Sequence, residues 1–180
     1  MNTYTLADIA AKFARLDAIE DDTHAQFEKG LRNLVQRHFL PPTSQQGRVF
    51  LYDAAAAVTI RFAQIAAEFG LPRPTIDTLA RWLSGSGERT KKQGSGFRGV
   101  LRSEEAIDRV EAGETFAVHI VMRADGSVTV KSDWQTDRGA DDRVRNAALS
   151  AGLVNVSPEV ARFSLPASRL IAEILPLLKG

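Results

Sequence analysis

The sequence predicts a mainly α-helical fold with a small α+β part: an N-terminal winged helix, then a C-terminal α+β module with a small antiparallel sheet. Three observations carry this. Residues 24–38 keep one apolar stripe at helical spacing, formed by Phe27, Leu31, Leu34, Val35 and His38. Pro41 and Pro42 end that helix, and residues 43–52 read as a hairpin, with Ser44-Gln45-Gln46-Gly47 as its turn and residues 48–52 as an extended arm. Farther on, Phe116, Val118, Ile120 and Met122 alternate along residues 115–123, and Asp125-Gly126 marks a two-residue turn into the return strand 128–131.

With 180 residues and 44% hydrophobic content, the chain can bury a core of one or two small domains. Cysteine is absent, which excludes disulfides and thiolate metal sites. The opening stretch MNTYTLADIAAKF has neither a basic n-region nor a long apolar run. The apolar residues 170–178 are interrupted by Glu173 and Pro176 and cannot span a bilayer. A cytoplasmic protein with no membrane partner is expected. Net charge is only +1, but its distribution is uneven. Residues 24–48 carry Lys29, Arg32, Arg37 and Arg48 against Glu28, a local +3. Residues 84–102 reach +4, and residues 103–180 balance nine bases against twelve acids. A local basic patch is the electrostatic footprint a DNA-binding surface needs.

The first helix is expected over residues 5–13, capped by Thr5 with Asp8 three positions on, with Leu6, Ile9, Ala10 and Phe13 inward. It could continue as far as Glu20. Asp21, Asp22 and Thr23 offer capping oxygens to the helix that follows. That helix sets Gln26, Lys29, Asn33, Gln36 and Arg37 opposite its apolar stripe, with Gly30 and Arg32 on the flanks. Its outer face holds long donors and amides and no acid, the groups that reach phosphates and base edges. Asp53 caps a further helix that Gly70 closes, and residues 76–83 form a shorter one with Ile76, Leu79 and Leu83 inward and Trp82 in the core.

This order resembles the MerR-type regulators, in which a recognition helix bearing Ile-Arg-aromatic-aromatic leads to Leu-Pro and a wing that ends in tyrosine. Here Leu31-Arg32-Asn33-Leu34 stands nine residues before Leu40-Pro41. Asn33 and Leu34 replace the aromatics. In the wing Gly47-Arg48-Val49-Phe50-Leu51-Tyr52, the glycine and tyrosine match, and Arg48 supplies a charge two residues before the family's usual arginine. The resemblance spans about residues 3–83 and implies a winged helix-turn-helix that binds double-stranded DNA. Missing cysteine sets the chain apart from the metal-sensing members. The DNA-contacting set expected is Gln26, Lys29, Arg32, Asn33, Gln36 and Arg37 on the recognition helix, about residues 24–38, with Gln46, Arg48 and Tyr52 on the wing.

Three segments are expected: a DNA-binding domain (residues 1–83), a flexible basic Gly/Ser linker (84–99) and an α+β module (100–180). The module should hold a helix capped by Ser103, the two strands above, a polar loop over 134–142, a helix over 143–151, a third strand at 160–165 and a last helix after Pro166. Leu170, Ile171, Ile174, Leu175, Leu177 and Leu178 cover more than one face of that last helix, so it is the expected homodimer contact. Little could carry chemistry. His24, His38 and His119 lack metal-ligand spacing, and His119 reads as a structural histidine. Asp137, Asp141 and Asp142 sit in a polar loop. The G-x-G-x-x-G string at 94–99 neither follows an apolar strand nor opens an apolar helix. The expectation is therefore a transcriptional regulator with no enzymatic activity and no cofactor. The alternative is an architectural or DNA-packaging protein built on the same winged fold.

Overall fold

The computed structural model describes residues 2–134 and 157–179. It is an α+β fold with small antiparallel sheets, and it divides into two units: residues 1–115 with 167–180, and residues 116–166. The helix expected over 143–151 and the aspartates Asp137, Asp141 and Asp142 lie outside the described residues.

The larger unit begins with α1, Leu6–Leu16. Thr5 and Asp8 form the capping box expected of them: the threonine hydroxyl accepts from the Asp8 amide, and the Asp8 carboxylate accepts from the Thr5 amide. The Thr5 hydroxyl also donates to the Asp8 carboxylate, and that bond, with the one from the Thr5 amide, holds the Asp8 carboxyl below the ordinary carboxylate range. A 3-10 turn, Asp21–Thr23, leads into α2, His24–Arg37. Thr23 gives α2 no side-chain cap; its hydroxyl donates to the Glu20 carbonyl instead. The hairpin β1 (Ser44–Gln46) and β2 (Val49–Leu51) follows. Next come α3, Ala54–Glu68, capped by the Asp53 carboxylate on the Ala56 amide, and α4, Arg73–Leu83. Ile9, Phe13, Leu31, Val58, Phe62, Leu79 and Leu83 fill the space between these helices. Each such side chain contributes about 1.5–3 kcal/mol by leaving water. Arg61 of α3 fixes the end of α1, donating twice to the Asp17 carboxylate at 2.5 and 2.6 Å with its guanidinium over the Phe13 ring.

Residues 84–99 are not a flexible linker. Ser86–Gln93 and Gly96–Leu101 form a hairpin, β3 and β4, that packs on α5, Arg102–Glu111. The reason lies on α5. Glu105 is fully buried, and its carboxylate accepts from the Glu88 and Arg89 amides where the register of β3 slips, while Arg109 neutralises it at 2.7 Å. Ser103 does not cap α5. Leu101 occupies the cap position, its amide donating to Glu104, and Ser103 is buried in the first turn. Trp82 is half-buried rather than in the core, beneath the Arg102 guanidinium.

The last helix, α6 (Ala167–Lys179), belongs to this larger unit. Ile171, Ile174, Leu175 and Leu178 are buried, and the helix packs against α1, α3 and α5. Lys12 and Tyr4 donate to the Leu177 and Leu178 carbonyls, which have no partner inside the helix. Most of the wide apolar arc is thus covered from within the chain, while Leu170 and Leu177 are half-buried. The module expected over 100–180 is correspondingly smaller, because α5 and α6 pack with the N-terminal helices.

The smaller unit holds a three-stranded antiparallel sheet in the order β6-β5-β7: β5 is Val118–Arg123, β6 Val128–Ser132 and β7 Glu159–Leu165. Val118 and Ile120 are buried as the alternation predicts, but Met122 is exposed and Val121, on the opposite face, is buried. The β5–β6 connection, residues 124–127, has four residues rather than two. Arg123 donates to the Ser127 carbonyl across Ala124-Asp125-Gly126, and Gly126 takes the left-handed conformation (φ 80°).

Candidate nucleic-acid interface

Helix α2 turns Leu31 and Val35 into the core and leaves Gln26, Lys29, Arg32, Asn33, Gln36 and Arg37 exposed. His38 closes the inner stripe: its buried ring places Nδ1 2.7 Å from Asp77 of α4. Arg73, also on α4, donates to the Arg37 carbonyl at 2.9 Å, supplying a partner to the helix end and setting a further cation beside it. Arg32 contacts Glu28 one turn back at 2.5 Å. Such an exposed pair is worth only about 0.3–0.5 kcal/mol, so a phosphate can compete for the guanidinium.

The β1–β2 hairpin turns later than the sequence suggests. Ser44, Gln45 and Gln46 are strand, paired with Leu51, Phe50 and Val49, and the turn is Gly47-Arg48. This puts Arg48 at the tip and Gln46 beside it, both exposed. Tyr52 is not exposed on this surface but lies at its base. It is 3% exposed, and its backbone exchanges two hydrogen bonds with Tyr4, at 2.8 and 2.9 Å, tying the start of the chain to the base of the wing. Burial pushes its phenol above the ordinary tyrosine range.

Between α2, the wing and the start of α1 lies an open groove of about 760 Å³. Val35, Leu40 and Tyr52 line its inner part, and Phe39, Val49 and Phe50 are exposed along it. Arg32, Gln36 and Arg48 also line it, and none of its lining residues is acidic. Phe39 is 82% exposed and has φ +49°, the left-handed region. It follows the helix cap, with its amide bonded to the Gln36 carbonyl and the Leu40 amide to the Val35 carbonyl, an arrangement usually made by glycine. A residue with a β-carbon there costs on the order of 1–2 kcal/mol.

The second basic stretch, in β3 and β4, is not an open cationic arm. Arg89, Lys91 and Arg98 pair with Glu114, Asp108 and Glu104 at 2.7, 2.8 and 2.7 Å. Hydrogen bonding from Arg98 holds the Glu104 carboxyl below the ordinary range. In the smaller unit, His119 places Nδ1 2.8 Å from the Ser164 hydroxyl and Nε2 2.7 Å from Asp133, while Asp133 also accepts from the Ala117 amide. This row crosses the sheet face, joining β5 to β7 and to the residue after β6. Among the described residues, no group of histidines and carboxylates could hold a metal ion, and no helix is long and apolar enough to cross a membrane.

No protein-family model, curated protein or solved structure matches the chain. Sequence reasoning missed Phe39, Val49 and Phe50 as members of this surface. The available signal was the aromatic residue at the helix stop before Leu40-Pro41-Pro42, where a glycine would serve.

Proposed function

We propose that the chain is a sequence-specific regulator of transcription that binds double-stranded DNA through α2 and the β1–β2 wing. One observation carries the reading. Lys29, Arg32, Asn33, Gln36 and Arg37 stand exposed on the helix next to a wing tipped by Arg48, and together they combine phosphate-binding cations with base-reading amides. Arg32, Arg37 and Arg48 hold phosphates in this reading. Gln26, Lys29, Asn33 and Gln36 face base edges, amides suiting adenine and lysine suiting guanine. Resemblance to the MerR-type layout supports the same assignment.

The test is selection of 30-bp duplexes from a random pool by the full chain. Enrichment of a defined motif, with protection of it from cleavage, is the expected result. Binding without enrichment would favour the architectural alternative. Failure to retain any duplex would remove both.

A further inference from the structure

Building on that DNA-binding reading, we propose that Phe39 is an apolar wedge that enters a base step of the duplex and bends it, with Phe50 flanking it from the wing. Among the described residues, four helices end in the same pair of backbone bonds, around Ala18, Phe39, Gly70 and Gly113, each with positive φ. Glycine serves the fold at two of these places, and alanine adds only a methyl group at a third. At the end of α2 the same strained position carries a ring that is 82% exposed. The ring gains little from burial, and its backbone conformation is unfavourable. An aromatic that the fold would be better without points to a use outside the fold.

The groove identifies the partner. Arg32 and Arg48 line it, with no carboxylate, beside Phe39, Val49 and Phe50. Cations next to flat apolar groups suit a ligand that presents phosphates and stacked bases together. Arg32 and Gln36, one turn apart on α2, and Phe39 just beyond its end line the same groove, which brings a cation, an amide and the ring to the same stretch of duplex. An inserted apolar side chain unstacks a step and kinks the helix, most easily at pyrimidine–purine steps.

The experiment uses a 30-bp duplex selected by the full chain and labelled at its ends with a donor and an acceptor dye. Phe39→Gly and Phe39→Asn, which both tolerate the left-handed conformation, are compared with wild type for binding, energy transfer and melting temperature. The expected result is that wild type raises the transfer efficiency, and that both variants lose this rise and bind at least tenfold more weakly while Phe39→Gly melts higher. Equal bending by wild type and both variants would overturn the wedge and leave the DNA-binding reading standing. Absence of any salt-dependent duplex binding by wild type would overturn both. Capture of an acidic amphipathic peptide in place of duplex, lost in Phe39→Gly, would assign the groove to a peptide and overturn the wedge.

Discussion

Asn33, exposed on this surface, and Tyr52, buried beneath it, show how differently single residues act. Asn33 is exposed on α2 and can present both amide groups to one base edge. Asn33→Ala should relax preference at one base pair, with a discrimination loss of about 1–3 kcal/mol and little change in melting temperature. Measured affinities for single-base variants of the selected site check this, and an equal loss at every variant would contradict it. Tyr52 behaves in the opposite way, because its ring is in the core and its backbone holds Tyr4. Tyr52→Ala should lower stability by about 3–5 kcal/mol, as large aromatic truncations do. A variant that unfolds at the wild-type denaturant midpoint would refute that. Helical periodicity gave the outward face of α2 residue by residue. It could not place Tyr52, because the burial of that ring depends on a strand pairing with the first residues of the chain.

At the scale of elements, what was readable was what is local. Thr5 with Asp8, Asp53 and Gly70 mark helix ends through contacts within a few residues, and each does what its position suggested. The β3–β4 hairpin was not readable. Its inward residues are mostly polar, and its backbone is held by Glu105, more than fifteen residues later. Its charges depend on α5, and this fixes a pH dependence. The Glu104 carboxyl is held low by the Arg98 hydrogen bond. A folded-state value below the unfolded one stabilises the fold above the ordinary carboxylate range, and that stabilisation is lost as pH falls through the folded value. Acid titration of wild type and Glu104→Gln should converge at low pH, with wild type more stable at neutrality. Parallel curves throughout would contradict the assignment. Helix α2 offers a simpler test. Gly30 is mid-helix and exposed, and a β-carbon added there would meet nothing within 4 Å. Gly30→Ala should stabilise by about 0.5–1 kcal/mol, read from the denaturant midpoint. A lower midpoint would show that the glycine is needed in the folded state.

Over the whole molecule, structural and interfacial work are divided among elements of the larger unit. Arg89, Lys91 and Arg98 of the β3–β4 hairpin are paired within the larger unit, and the apolar face of α6 is covered by α1, α3 and α5. Lys29, Arg37 and Arg48, with the loosely paired Arg32, remain as the exposed cations of α2 and the wing. The most direct test of DNA binding by this surface is the salt dependence of the full chain's affinity for the selected duplex, measured by fluorescence anisotropy for wild type, Arg32→Ala and Arg48→Glu. The three phosphate contacts of Arg32, Arg37 and Arg48 give an expected slope of log K against log[salt] of about −2.7. Arg32→Ala should make it shallower by about one unit, and Arg48→Glu should abolish tight binding without loss of the thermal transition. A slope near zero for wild type, or the wild-type slope and affinity retained in both variants, would contradict the account.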